Sequence, residues 1–238
     1  MIYAEILAGG KGTRMGTTAK PKQFIEIANK PILIHTIEAF LYHKKIDKII
    51  VCLPKNWIDD SIKLFEKYFN KNELKKICPV IGGNDRQESM MNGCYFIRDS
   101  YGLSDDDIIL THDGVRPFIT QRIIDDNIKA LKNCSATDTV VPAIDTIVES
   151  LDLKTINSIP NRMNLFYGQS PQSFNLKELI NVFENITEKE KNILTDACKA
   201  FALKGKEVIL IDGEYSNMKI TTPSDLVIAE AIYQSRLG

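Results

Sequence analysis

The sequence lacks an excess of positive charge. Its 238 residues carry 30 Lys+Arg against 31 Asp+Glu, a net charge of −1, and a chain without a basic surplus is a poor match for a nucleic-acid backbone. No nucleic-acid partner is expected. Long apolar runs are missing as well. The apolar stretches are short pieces such as Ile108-Ile109-Leu110, far below the roughly 20 residues a membrane helix requires, so no membrane association is expected. Met1-Ile2-Tyr3-Ala4-Glu5-Ile6-Leu7 passes straight into Gly9-Gly10 with no basic leader ahead of it, unlike a secretory signal. The working chain is therefore expected to start at Met1.

Cysteine is sparse. Cys52, Cys78, Cys94, Cys134 and Cys198 are scattered, odd in number and free of any C-x-x-C pair, which excludes a disulfide framework and a zinc knuckle. These thiols read as small core or surface residues of a cytoplasmic protein. No repeat, low-complexity tract or Gly/Ser linker breaks the chain, so one domain over 1–238 is expected. What is present, 44% hydrophobic and 26% charged residues, is ordinary for a globular fold.

Short β-rich apolar runs alternate with segments of helical period. Strands are predicted over 3–8, 48–53, 77–81, 107–111, 137–144 and 207–211. Helices are predicted from near Pro31 and over 86–98, 120–131 and 188–203. Alternation of this kind predicts an α/β fold, a doubly wound and mostly parallel sheet. One stretch departs from it: 145–149 and 154–158 read as two short β pieces joined by Ser150-Leu151-Asp152-Leu153. They predict a projecting β-arm at about 145–160. Such an arm is too small to bury its own face, which favours a homodimer; an ordinary surface hairpin on the same subunit is the alternative.

The chemical signal begins at Leu7-Ala8-Gly9-Gly10-Lys11-Gly12-Thr13-Arg14-Met15-Gly16. Glycines directly after a strand let the backbone turn sharply and point N–H groups at a ligand. Lys11, Arg14, Lys20 and Lys22 cluster around them. The stretch reads as a phosphate cradle, the alternative being a glycine-rich turn without a ligand. Neither a Walker A spacing nor a complete G-x-G-x-x-G occurs, since Met15 stands where the third glycine of the latter belongs. The strand over 48–53 also ends without an acidic residue for a ribose hydroxyl, so a nicotinamide cofactor is not expected.

That segment, followed by Pro21-Lys22-Gln23-Phe24, resembles the signature of the sugar-phosphate and polyol-phosphate nucleotidyltransferases, and Pro-Lys-Gln resembles their cytidylyltransferase branch. Gly82-Gly83-x-x-Arg86-x-x-Ser89, Thr111-His112-Asp113-x-Val115-Arg116-Pro117-Phe118, Gln169-Ser170-Pro171-Gln172-Ser173-Phe174, Thr195-Asp196-Ala197 and Asn217-Met218-Lys219-Ile220-Thr221-Thr222-Pro223 follow in the family's order. The resemblance spans essentially the whole chain. It implies a Rossmann-like nucleotidyltransferase that joins CTP to a polyol phosphate with Mg²⁺. Between the two acceptor branches, methylerythritol phosphate and ribitol phosphate, Asp138-Thr139-Val140, 143–148, 167–174 and Thr195-Asp196-Ala197-Cys198-Lys199 read like the ribitol branch. The methylerythritol branch usually carries Asp where this chain has Asn84.

The reaction brings two polyanions together, and their repulsion is the chief obstacle. Arg14 is therefore assigned to the triphosphate and Lys22 to the α-phosphate. By resemblance, Lys219 joins Lys22 as a clamp, and Leu7, Ala8, Gly9, Gly10, Gly12 and Thr13 hold the nucleotide with Gly82, Gly83 and Ser89 at base and ribose. Asp113, at a carboxyl strand end where open sheets bind ligands, is the candidate Mg²⁺ ligand or partner of the sugar or polyol. Arg116 is placed to bind phosphate. Arg162 matches a family arginine for the acceptor's phosphate, commonly reaching across a dimer, and Thr195 and Asp196 resemble residues of that pocket. His112 alternates away from Asp113 on its strand and reads as structural; Arg86 and Glu88 are given no role. A non-catalytic nucleotide-binding protein is the alternative of another class.

Overall fold

The computed structural model describes residues 1–10 and 21–236. The chain builds β1 (Ile2–Leu7), a small ribbon of β2 (Glu26–Ile27) and β3 (Lys30–Pro31), α1 (Ile32–Leu41), β4 (Lys48–Leu53), α2 (Ile58–Tyr68), α3 (Lys71–Leu74), β5 (Ile77–Ile81), α4 (Arg86–Tyr101), β6 (Ile108–Asp113) and α5 (Gln121–Ala130). It continues through β7 (Ala136–Pro142), β8 (Phe166–Asn175), α6 (Leu176–Glu184), α7 (Glu188–Lys191), α8 (Ala197–Leu203), β9 (Ile209–Asp212) and α9 (Pro223–Ser235).

Seven strands form one sheet in the order β5-β4-β1-β6-β8-β7-β9. All pairings are parallel except those of β8, which runs antiparallel to both β6 and β7. Both faces are covered, which is why β1 and β4 read as nearly unbroken apolar runs. Ala4, Ile6, Ile49, Val51 and Leu110 pack under α1, α2 and α5. Tyr3, Ile50, Ile109, Phe174 and Ala136 pack under α4, α6 and α8. A third cluster, Ile27, Ile32, Val115, Phe118, Ile220 and Ala229, seats α9 against the ribbon. Strand order reverses at β1, which has β4 on one side and β6 on the other, and open sheets bind ligands at such a point, beyond the carboxyl ends.

The doubly wound, mostly parallel sheet is as expected, with three differences. The predicted helix over 188–203 is broken: Asp196 turns its carboxylate back to accept from the Lys199 N–H at 2.9 Å and starts α8 afresh, as an N-cap does. The arm forms a single antiparallel bridge, Glu149 to Ser158, rather than two paired strands. Asp152 explains this, since its carboxylate accepts from the N–H groups of Lys154 and Thr155 and the hydroxyls of Ser150 and Thr155. A carboxylate that gathers nearby donors favours turn over strand. Finally, β8 is a central strand although it contains Pro171, which argues against such a place. The β7 and β8 register shifts between Asp138 and Val140, and Pro171 falls in that irregularity.

Candidate functional site

Four parallel strands deliver Leu7, Leu53, Ile81 and Asp113 to one rim. An open cavity of about 850 Å³ lies there, lined by Leu7, Ala8, Gly9, Gly10, Lys22, Gly82, Gly83, Ser89, Asp113 and Lys219 among others. Ten of the residues singled out in the sequence thus meet in one place. Gly12, Thr13 and Arg14, with Lys11 and Lys20, lie outside the described residues.

Local structure explains the convergence. Gln23 is buried, and its Nε2 donates to the Ala8 carbonyl at 2.6 Å. This bond ties the Pro-Lys-Gln turn to the start of the glycine loop and sets Lys22 on the cavity wall. On the far side, Asp85 caps α4 by accepting from the Glu88 N–H. The Ser89 hydroxyl accepts from the Gly83 N–H at 2.9 Å and donates to the Asp85 carbonyl at 2.7 Å. Ser89 lines the cavity, as expected, but its hydroxyl is engaged in holding the Gly82-Gly83 backbone. A Cβ on Gly83 would stand 2.3 Å from Glu88 Cγ, so only glycine permits this close approach. Glu88 in turn accepts from both the backbone and side-chain nitrogens of Asn84.

Asp113 is the hub. Its side chain is 11% exposed, and its Oδ2 lies 3.1 Å from both Arg116 Nε and Lys219 Nζ, with Arg86 Nε 3.6 Å from Oδ1. Burial by itself would raise its pKa. The combined pull of Lys219, Arg86 and Arg116 overcomes this and holds the carboxyl well below the ordinary Asp range. Arg116 departs from expectation. It is buried, donates to Asp113 and gives Nη1 to the Asn217 carbonyl at 2.8 Å, and it is not among the residues that line the cavity. It anchors the segment that carries Lys219. Asn217 is fully buried and donates to the Ser170 carbonyl, while Ile220 N–H donates to the Val115 carbonyl, fixing Lys219 from both sides.

Burial also drives the His112 pKa down to about 4. Its ring contacts the Ser170 hydroxyl and the Arg116 carbonyl, both at 3.0 Å, and meets Phe40 edge-on. It is the structural histidine that strand alternation indicated. Arg162, Thr195 and Asp196 do not line this cavity. Arg162 is exposed and donates to the Ile144 carbonyl at the base of the arm, Thr195 is exposed, and Asp196 is the N-cap already described. Arg86 is the residue that sequence reasoning missed. As the first residue of α4 it enters the cavity wall beside Asp113, and its place three residues after Gly83, at the start of the helix, was the available signal.

Residues 2–235 match the model of the family described as IspD, 2-C-methyl-D-erythritol 4-phosphate cytidylyltransferase. The chain belongs to the IspD family of cytidylyltransferases. It is 49% identical over 236 residues to the ribitol-5-phosphate cytidylyltransferase of Lactiplantibacillus plantarum, covering 99% of this chain and 100% of that protein. Among solved structures it resembles the 4-diphosphocytidyl-2C-methyl-D-erythritol synthase of Anaerococcus prevotii, with TM-score 0.79 and 30% identity over 98% of this chain and 96% of the other. It also resembles the Francisella tularensis 2-C-methyl-D-erythritol 4-phosphate cytidylyltransferase, with TM-score 0.78 and 27% identity over 97% and 98%. As a member of this family the chain is a nucleotidyltransferase that transfers a cytidylyl group. A purely nucleotide-binding role is set aside.

Proposed function

We propose that this enzyme transfers the cytidylyl group of CTP to D-ribitol 5-phosphate, giving CDP-ribitol and pyrophosphate for teichoic-acid or capsule polymer synthesis in the cytoplasm. The observation that carries this reading is the end-to-end 49% identity with a ribitol-5-phosphate enzyme, against 30% with a methylerythritol-phosphate synthase.

In the proposed reaction an oxygen of the acceptor's phosphate monoester forms a bond to the α-phosphorus of CTP. The bond from that phosphorus to the β-phosphate oxygen breaks, and pyrophosphate leaves with the electron pair. The attacking phosphate is ionised at neutral pH, so no side-chain base is required. The protein's task is to hold two polyanions together. The glycine loop and Arg14 hold the triphosphate, Gly82 and Gly83 offer backbone groups to the pyrimidine, and Lys22 and Lys219 draw in the α-phosphate. Asp113 keeps Lys219 and Arg116 in register. Arg162 meets the acceptor's phosphate across a homodimer formed through the arm, and Thr195 borders that pocket. Apolar side chains stand free on the arm and just beyond it, Leu153 at 91% exposure, Leu151 at 79% and, in the turn that follows, Met163 at 79%, which favours such an assembly.

Magnesium suits this site as a companion of the substrate phosphates. Among the described residues no three His, Cys, Asp or Glu side chains converge, and the Asp113 carboxylate is ringed by cations. Mg²⁺ commonly binds one or two carboxylates together with phosphates, so Asp113 would meet it by exchanging one of those neighbours. The ion would neutralise triphosphate charge.

Pyrophosphate release from CTP and Mg²⁺, with each acceptor in turn, tests the proposal. Ribitol 5-phosphate is expected to give a kcat/KM at least about a hundredfold above methylerythritol phosphate, the scale set by unpaired buried polar groups. The reverse preference would transfer the chain to the methylerythritol branch that the family description names.

A further inference from the structure

A polar row crosses the sheet just below the cavity rim. Strand pairing aligns Glu5 on β1, Thr111 on β6, Gln172 on β8 and Asp138 on β7, and cross-strand partners share a face. The parallel row two residues away is Tyr3, Ile109, Phe174 and Ala136, all apolar core beneath α4, α6 and α8. Polar side chains thus occupy sheet positions that packing alone would fill with hydrocarbon.

Several of these groups are unsatisfied. Among the described residues, four buried side-chain nitrogen or oxygen atoms have no hydrogen-bond partner, and three of them, Glu5 Oε2, Gln172 Oε1 and Arg86 Nη1, belong to this row or to the arginine that acts on it. Gln172 is 3% exposed; its Nε2 donates to Asp138 Oδ1 at 3.2 Å, while Oε1 on the same amide is unpaired. Buried polar atoms are nearly always paired, so this concentration of unpaired ones sets the row apart from the core around it; Arg86 lines the cavity, while Asp138 and Gln172 lie behind its wall. Asp138 itself is only partly buried. Arg86 connects the row to the catalytic rim, because it lines the cavity and faces Asp113.

We propose that Asp138, with Gln172 and Arg86, forms the subsite that reads the hydroxyl groups of the acceptor's polyol chain. The inference rests on the polyol-phosphate reading above. Its chemistry is that of neutral hydroxyls. Each can donate to a carboxylate or to Gln172 Oε1 and accept from Arg86. A second phosphate at this end would meet Asp138 and Asp196, and a hydrocarbon chain would leave the row unpaired. Strand spacing and rise put the Cα atoms of Asp113 and Asp138 roughly 12 Å apart, a gap that the two side chains narrow to the reach of a short polyol.

The test is Asp138→Ala, with Asp138→Asn beside it, in steady-state assays with CTP and D-ribitol 5-phosphate. Glycerol 3-phosphate serves as a competitive inhibitor that keeps the phosphate but lacks the outer hydroxyls. Loss of a charged hydrogen-bond partner should raise the ribitol 5-phosphate KM roughly tenfold to a hundredfold. The KM for CTP and the Ki for glycerol 3-phosphate should stay within about twofold, inside ordinary scatter for an untouched contact. Asp138→Asn, isosteric and still an acceptor, should fold as the wild type does and restore part of the affinity. A KM that does not rise, or that rises together with that Ki, overturns the subsite. If the wild type uses methylerythritol phosphate instead of ribitol 5-phosphate, the acceptor reading fails by itself, and the same comparison against glycerol 3-phosphate still decides the role of Asp138.

Discussion

Replacing Asp113 by Asn removes one negative charge from among three cations. The carboxylate is 11% exposed and Arg116 is 10% exposed, whereas Lys219 at 35% can turn towards water. Removing one partner of a buried ion pair costs about 3–5 kcal/mol. The lower end applies, because Asn keeps an acceptor oxygen and Lys219 can rehydrate. About 3 kcal/mol lowers the melting temperature of a chain this long by about 6–12 °C. The sign of the pH dependence follows from the depressed Asp113 pKa. Such a carboxylate contributes stability that is fully present above its unfolded value near about 4 and is lost as pH falls through the lower folded value. The gap between wild type and Asp113→Asn should therefore be constant from about pH 6 to 8 and narrow only in acid below about 4. Thermal melts across that range measure it. CTP should recover more stability in the variant than in the wild type, since its phosphates then supply the missing counter-charge. Turnover should fall at least about tenfold as Lys219 loses its anchor. A melting temperature within about 2 °C of the wild type, well short of the shift expected for a buried charge, would show that Asp113 does not hold these cations together.

Lys22→Ala should lower kcat by about a hundredfold or more while changing the CTP KM only a few fold, the pattern of a charge that acts in the transition state; initial rates against CTP concentration decide this, and intact turnover removes the role. His112 is fully buried with its pKa driven down to about 4, so it folds neutral while the unfolded chain takes up a proton below about 6.5. Stability should be lost as pH falls from about 6.5 towards 4, by roughly 3 kcal/mol from this group, and His112→Gln should flatten that part of the curve in urea titrations. Burial lowers the pKa of His35 and His43 as well, so some slope should persist. On the proposed dimer, Leu151→Glu with Leu153→Glu should leave monomers in light scattering and depress turnover as the proposed Arg162 contact is lost; a mass unchanged from the wild type would remove the arm from any interface.

The fold was legible where apolar period and turn chemistry agree. β4 and β5 occur at the predicted bounds, and α1 begins directly after Pro31. It was less legible where a single polar side chain overrides the pattern. Asp196 stops a helical period by capping, and Asp152 collects donors that a hairpin would have paired. Pro171 disguises a central strand because the irregularity that accommodates it depends on the Asp138 register of another strand. In the site, Gly9, Gly10 and Lys22 were readable because phosphate chemistry requires their types, whereas Lys219, Gly82 and Gly83 were reached by resemblance to the family's motifs. Arg116 was assigned to phosphate because an arginine near a phosphate site suggests a ligand, and burial shows what local sequence does not, that its Nε and Nη1 are engaged by Asp113 and the Asn217 carbonyl.

Arg86, by contrast, was given no role, because with Glu88 it could equally form a pair on a helix surface. Its setting is instead decided across the sheet, by the buried row from Glu5 to Asp138 that no local window contains. Gly93 belongs to the same arrangement, since a Cβ there would stand 1.9 Å from Glu5 Oε1. The glycine therefore lets α4 lie directly over a buried acid. With α4 held that close, its first residue reaches Asp113 at the rim while still acting on the polar row. On the proposed reading, Arg86 thus links Asp113 at the rim to the polar row through the seating of α4 on β1.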